Sequence, residues 1–295
     1  MAMDSLPQSL KYLAPAKLNL FLHITGRRAD GYHQLQTLFQ LLDYGDQMQF
    51  EPADDGQISL HLQSAANSSI ATGIEALPME NNLVMTAANR LAQDYGSSKY
   101  GAKISLCKRI PMGAGLGGGS ANAAITLVAL NQLWGLGLST DQLCELGIKL
   151  GADVPLFIRG RSAWGEGIGE RLRPVELGDS WYLVLTPNCS VATSEIFCHE
   201  HLTRNSQAIK MADFLAGRVR NDCESVTRKL YPEVDQALEY LAQFAEARMT
   251  GTGSSVFARF EDEASAQVGL DKLPANMQGF VAKGIDSLAQ SGQPA

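Results

Sequence analysis

Between positions 17 and 24 every second residue is apolar: Leu18, Leu20, Leu22 and Ile24 share one face of an extended chain, and Lys17, Asn19, Phe21 and His23 share the other. That spacing predicts a strand with a polar working face. Gly26 and the Asp30-Gly31 pair are turn signals, after which Thr37, Phe39 and Leu41, then Met48 and Phe50, then Ile58, Leu60 and Leu62 continue at period two. The first third therefore reads as mostly antiparallel sheet. Asn82 is a plausible N-cap for a helix whose Val84, Ala87, Ala88, Leu91, Ala92 and Tyr95 recur at helical spacing, with Gly96 as its stop. Ala102, Ile104 and Leu106 alternate as a half-buried strand. Ala121, Ala124, Ile125 and Val128 then form the stripe of a second helix, which begins near Ser120, runs to Trp134 and ends near Gly135 or Gly137. Ser139 and Gln142 open a third helix in a capping-box arrangement.

The stretch 165–180 is rich in Gly, Pro and charge and reads as a junction, dividing the chain into 1–170 and 171–295. Beyond it the pattern predicts a strand over 181–186, helical stretches through Phe244, a strand over 256–260, a helix over 264–273 and a last strand over 280–282. Strands and helices mixed in this way indicate an α+β chain of two domains.

Of the 295 residues, 45% are hydrophobic and 19% charged, the composition of a folded globular protein. Lys and Arg number 24 against 31 Asp and Glu, a net charge of −7 with no local basic run, which argues against a nucleic-acid or anionic-membrane partner. The five cysteines (Cys107, Cys144, Cys189, Cys198 and Cys223) are odd in number and contain no CxxC pair, so a disulfide framework or zinc knuckle is not expected. The N-terminal Met1-Ala2-Met3-Asp4 has no basic region ahead of an apolar core, and the longest near-apolar run, 123–130, is too short to span a bilayer. These features fit a cytoplasmic protein, a monomer or weak homodimer, with a small-molecule ligand.

The strongest chemical signal is the run Pro111-Met112-Gly113-Ala114-Gly115-Leu116-Gly117-Gly118-Gly119-Ser120-Ala121, lying between the strand at 102–107 and the following helix. Glycines let backbone N–H groups approach a phosphate, and the helix macrodipole adds roughly half a positive charge at the same point, so the expected ligand is a nucleotide phosphate chain. Gly113, Gly115 and Gly118 satisfy G-x-G-x-x-G, but a dinucleotide fold also needs an acid at the end of the next strand, and the nearest candidate, Asp141, sits in the first turn of a helix. No Lys-Ser or Lys-Thr pair follows the last glycine, which excludes a Walker A loop.

This run resembles the central motif of the GHMP kinases. The segments PAKLNLFLHITGRRADGYHQLQTLFQ (15–40), GADVPLFIRG (151–160), NDCE (221–224), MTGTGSSVFARF (249–260) and GFVAKG (279–284) extend the resemblance, in order, over nearly the whole chain. It narrows to the branch that uses ATP to phosphorylate the 2-hydroxyl of 4-diphosphocytidyl-2-C-methyl-D-erythritol, in the non-mevalonate route to isopentenyl diphosphate. The resemblance implies a bilobal fold with a ribosomal S5-like N-terminal domain and a ferredoxin-like C-terminal domain. It also implies that Lys17 and Asp153 are the catalytic pair and that the glycine run, with Asn82 and Lys108, binds ATP. On the substrate side it implies Asn19, Tyr32, His33, Thr193, Phe197, Gly251 and Thr252, with the cytosine held between the rings of Tyr32 and Phe197 while His33 reads its edge. A carboxylate can accept the alcohol's proton, and an ammonium beside it can stabilise charge on the attacking oxygen or the transferred phosphoryl group. From spacing alone Lys17 is equally a solvated lysine on a strand face, Asp153 a cap for the segment opening at Val154-Pro155, and Tyr32-His33 a core tyrosine beside a surface histidine.

Mg²⁺ is expected as the ion that ATP carries. Many GHMP kinases have a Ser-Ser pair after the Gly-Leu-Gly triplet, where this chain has Gly118-Gly119 before Ser120, and no metal-ligating residue is assigned. His199 and His201 have no third ligand at suitable spacing. Two other readings stay open: another small-molecule kinase of the same superfamily, or a non-catalytic nucleotide-binding regulator on the same fold.

Overall fold

A computed structural model describes residues 9–64, 82–95 and 100–288. Met1-Ala2-Met3-Asp4 and the helix stop expected at Gly96 lie outside the described residues. The first two strands, β1 (Leu10–Arg27) and β2 (His33–Ala53), form a long antiparallel hairpin. Its register contains the main departure from the sequence pattern. Asn19 pairs with Phe39, and the next pair is Leu22 with Thr37, so three steps on β1 answer two on β2. Such a bulge inverts the alternation beyond it. Leu22 and Ile24 therefore continue the face of Lys17 and Asn19 and pack into the core of the second half, whereas Phe21 joins Leu18 and Leu20 in a separate cluster and carries His23 with it. The expected polar face is thus cut to Lys17 and Asn19, and both are buried, at 4% and 3% exposure.

Strand β4 (Gly101–Lys108) pairs antiparallel with β2, but β3 (Ile58–Ser64) pairs parallel with β4 rather than continuing an antiparallel meander. Between them the chain passes through helix α1 (Leu83–Tyr95), the crossover that parallel neighbours require. Asn82 caps that helix, accepting from Val84 N at 2.9 Å. Helix α2 (Gly118–Leu133) begins two residues before the expected Ser120 and is buried nearly all round, as befits a helix enclosed by sheet and by other helices. The capping box of α3 (Thr140–Gly147) forms as spaced, with Ser139 and Gln142 exchanging hydrogen bonds. Helix α4 (Val154–Arg159) follows.

The stretch read as a junction contains two short strands, β5 (Ala163–Gly167), which pairs with β2, and β6 (Arg171–Pro174), which pairs with β5. In the second half come β7 (Trp181–Leu185), helices α5 (Thr193–Cys198), α6 (Met211–Leu215), α7 (Glu224–Leu230) and α8 (Pro232–Leu241), then β8 (Ala247–Met249), β9 (Val256–Phe260), α9 (Glu263–Asp271) and β10 (Gly279–Ile285). Strand β10 pairs with β7 along most of its length and reaches back to β2 at Gly284 and Ile285. One hydrogen-bonded path therefore runs β3-β4-β2-β10-β7-β9-β8 through both halves. Among the described residues no helix is long and apolar enough to cross a membrane.

Candidate active site

The glycine run forms a loop between β4 and α2 in which Gly113, Gly115 and Gly117 all have positive φ, at 67°, 74° and 74°. Gly117 occupies the N-cap position of α2, and no side chain caps the helix, so its first-turn amides face outward for an anion. The loop is pinned on two sides. Lys17 N donates to Leu116 O at 3.0 Å, and Ser255 N donates to Ala114 O at 3.1 Å, which joins it to the second glycine loop, 250–255. A Cβ on Gly115 would lie 2.7 Å from Thr250 O and 2.8 Å from Gly253 O, so the two backbones meet as closely as glycine alone permits.

At that meeting point stands the Lys17 ammonium. It donates to Asn19 Oδ1 at 2.6 Å and Gly115 O at 2.9 Å, and lies 3.6 Å from Asp153 Oδ2. Burial pulls the Lys17 pKa below the ordinary lysine value, and the Asp153 carboxylate opposes that shift. Asp153 occupies the N-cap position of α4, yet its side chain makes no capping bond and remains 30% exposed. Its carboxylate is thus left to pair with Lys17 and to face the solvent-open side of the site, beside a helix N-terminus that favours negative charge. Asn19 is clamped in turn: its Nδ2 donates to Thr37 Oγ1 at 2.9 Å, and its backbone N donates to Thr250 Oγ1 at 2.9 Å.

Beside the loop opens a cavity of about 350 Å³, lined by Asn82, Lys108, every residue from Pro111 to Ser120, and Asn122. Ala121 is not among the lining residues, since its methyl lies in the first-half core. Lys108 meets the cavity as half of a buried ion pair with Asp46, which also accepts from Arg109 N at 2.7 Å and Ile110 N at 2.8 Å. Asp46 therefore neutralises Lys108 and shapes the exit of β4 into the loop. Asn122 is buried, and its Oδ1 lacks a protein partner.

A second cluster is built around Phe197 and the second glycine loop. His33 stacks on Phe197, with centroids 5.0 Å apart and planes at 24°. Tyr32 is 61% exposed on the turn between β1 and β2. Thr193 Oγ1 and Thr252 Oγ1 are 3.1 Å apart, tying the helix of Phe197 to the second glycine loop. That loop is held from below by Asn221, whose Nδ2 donates to Met249 O and Gly251 O, both at 2.8 Å. Among the described residues no group of three or more His, Cys, Asp or Glu is placed to hold a metal ion.

Nothing in the local sequence pattern singles out Asp46, Asn122 or Arg204, which donates to His33 Nε2 at 3.2 Å, as site residues. Asn221 carried the one usable signal, since it opens the NDCE segment.

A family model described as GHMP kinases N terminal domain matches residues 82–161, and one described as GHMP kinases C terminal matches residues 202–279. A 4-diphosphocytidyl-2-C-methyl-D-erythritol kinase of Alkalilimnicola ehrlichii is 53% identical over 272 residues, covering 92% of this chain and 90% of the relative. One of the same name from Nitrosococcus oceani is 50% identical over 289 residues, covering 96% of this chain and 99% of the relative. A crystal structure of 4-(cytidine 5'-diphospho)-2C-methyl-D-erythritol kinase matches with a TM-score of 0.77 at 31% identity, over 93% of this chain and 99% of that one.

Proposed function

The chain belongs to the GHMP kinases, among the 4-diphosphocytidyl-2-C-methyl-D-erythritol kinases, and we propose that it uses ATP to phosphorylate the 2-hydroxyl of 4-diphosphocytidyl-2-C-methyl-D-erythritol. The observation that carries the mechanism is the Lys17–Asp153 pair, set where the phosphate-type loop, the second glycine loop and strand β1 converge. ATP lies with its phosphates against the N-terminus of α2 and its base toward Asn82 and Lys108. The carboxylate of Asp153 accepts the proton of the attacking hydroxyl, and Lys17, linked to Gly115 O, stabilises charge on the transferred phosphoryl group. Asn19 orients Lys17. A non-catalytic regulator would have no need of a buried ammonium beside a partly exposed carboxylate that caps nothing.

Mg²⁺ arrives as the ion of the nucleotide. Asp153 beside Lys17 and the Ser120 hydroxyl at the cavity are oxygen donors that would meet such a cation, with phosphates and water completing its shell. The pyrimidine is bound by His33, Phe197 and Tyr32, and Thr193, Gly251 and Thr252 line the path from there to the reacting hydroxyl. Five unpaired thiols fit a reducing cytoplasmic setting.

Purified protein assayed with ATP and the diphosphocytidyl alcohol, beside mevalonate and homoserine, tests the reading. Turnover of the first alone is expected, and preference for either of the others would overturn it. Two variants sharpen the assignment. Lys17→Met should lower kcat about 10²- to 10³-fold, the range for removing one preorganised charge stabiliser, because its ammonium acts on charge that develops in the transition state. A change confined to KM would reduce Lys17 to a binding residue. Tyr32→Ala should weaken the diphosphocytidyl alcohol by roughly 5- to 150-fold, equivalent to about 1 to 3 kcal/mol of lost stacking, and leave ATP affinity alone. The exposure of Tyr32 makes the test clean, since stability should move by less than about 0.5 kcal/mol. By the same reasoning, methylerythritol phosphate lacking the cytidylyl group should be a very poor substrate.

A further inference from the structure

Arg204 lies in the segment after α5, and nothing in the reaction scheme above uses it. Its guanidinium is nonetheless almost fully committed. Nε donates to His33 Nε2 at 3.2 Å, Nη1 to Leu202 O at 3.1 Å, and Nη2 to Phe197 O at 2.9 Å and His199 O at 2.7 Å. We propose that Arg204 is a positioning residue that holds His33 as the neutral ring with its proton on Nδ1, aligned on Phe197, so that the pyrimidine pocket presents one fixed donor. The proposal rests on the functional reading above.

A guanidinium has five N–H groups and no acceptor, and it keeps its charge at every working pH. The nitrogen that faces it must therefore offer a lone pair. Nε2 of His33 accepts, and the ring proton is left on Nδ1. The same guanidinium closes the end of α5, because Phe197 and His199 carry two of the carbonyls that the helix leaves without internal partners. One side chain thus sets both the protonation state of His33 and the place of the ring stacked on it.

The charged surroundings of His33 point the same way. Its pKa is lowered first by burial, then by Arg204 and by Arg27 at the end of β1. Arg27 Nε is itself held by Gly31 O, and on the intervening turn Arg28 is paired with Asp30. No carboxylate contributes to the shift at His33. A donor at Nδ1 suits an unprotonated ring nitrogen or an oxo group, the acceptor edge of cytosine. A protonated, doubly donating imidazolium would lose the Arg204 bond and repel its neighbour.

The test combines spectroscopy with kinetics. In full-length protein labelled with ¹⁵N-histidine, His33 signals are identified by their loss in His33→Gln. We expect Nδ1 to carry the proton and Nε2 to be bare at about pH 8, and the ring to take up its second proton only at a lower pH than it does in Arg204→Gln. Arg204→Gln should raise KM for the diphosphocytidyl alcohol about tenfold at pH ~8, the scale of one charge-assisted hydrogen bond, with kcat and the KM for ATP little changed. Arg204 is one of the groups that lowers the His33 pKa, beside burial and Arg27, so in Arg204→Gln the ring should protonate at a higher pH than in wild type, and as pH falls the KM of the variant should rise before that of wild type does. In the His33→Gln background the Arg204→Gln change should have a clearly smaller effect, because the part that acts through His33 is already gone and only the hold on the Phe197 and His199 carbonyls remains to be lost. A proton found on Nε2 in the wild type would overturn the proposal. So would an Arg204→Gln effect that is undiminished by His33→Gln, which would leave Arg204 only the role of closing α5. Should Arg204→Gln fail to fold, Arg204→Lys retains a cation but not the fork, and the wild-type spectrum still decides the tautomer. The spectrum needs no substrate, so an inactive wild type would sink the functional reading without touching this result.

Discussion

Asp153→Asn is expected to lower kcat by about 10² to 10⁴, the range for removing a positioned general base, while ATP affinity and the fold are retained. The amide has nearly the shape of the carboxylate but cannot accept the hydroxyl proton. The fold should survive because the Asp153 side chain makes no capping bond to α4 and is not part of a core. Calorimetric ATP binding and melting temperature are the controls, and a near-normal kcat in the purified variant would remove Asp153 from its role. A second readout follows from the Lys17 pair. Burial already lowers the Lys17 pKa, and Asp153 is the group that opposes the shift, so its loss lowers that pKa further. Lys17 is charged below its pKa. The residual rate of the variant should therefore fall with rising pH earlier than the wild-type rate does, and a profile parallel to wild type would show that the two groups are not coupled.

What was legible in the sequence was local chemistry. The glycine run between a strand and a helix, the Asn82 cap and the Ser139-Gln142 box each depend on neighbours within a few residues, and all three form. Period two misplaces the far half of β1 because it assumes one residue per step, and nothing in the composition of Leu20-Phe21 announces the bulge that inverts the face. Strands β5 and β6 are hidden for a related reason, since Gly165, Gly167, Arg171 and Arg173 carry no apolar alternation: β5 pairs because β2 offers it an edge, and β6 because β5 then offers one in turn. The residues that hold the site in place were hidden by distance along the chain. Asp46 meets Lys108 across 62 positions, and Arg204 meets His33 across 171. An ordinary Asp beside a glycine, or an Arg in a polar loop, acquires its role only from a partner that the topology delivers.

Gly117→Val should abolish measurable ATP binding. From the sequence, the expected reason is a Cβ intruding on the phosphate cradle, but the structure supplies a sharper one. A Cβ at position 117 would lie 2.8 Å from Phe157 Cζ and 3.0 Å from Lys17 Cγ, so it points into the packing beneath the loop. Gly117 also has φ of 74°, and a left-handed conformation costs an L-residue about 1–2 kcal/mol, with a β-branched side chain faring worst. Overpacking adds about 1–3 kcal/mol. Phe157 is buried in the first-half core and Lys17 is held by Asn19 and Gly115, so neither can give way cheaply. The strain is relieved most easily by the loop itself lifting off β1, which breaks the Lys17 N to Leu116 O bond and withdraws the first-turn amides of α2 from the phosphates. Binding and catalysis should then fail together, because the movement that spoils the anion site also releases Lys17 from Gly115 O. Isothermal calorimetry with ATP, on protein whose circular dichroism matches wild type, reads the outcome. Gly117→Ala, which keeps the φ penalty and the close contact but adds no branch, should weaken ATP by a smaller factor than Val. If the Val variant binds ATP with wild-type affinity, the phosphates lie elsewhere than at the N-terminus of α2.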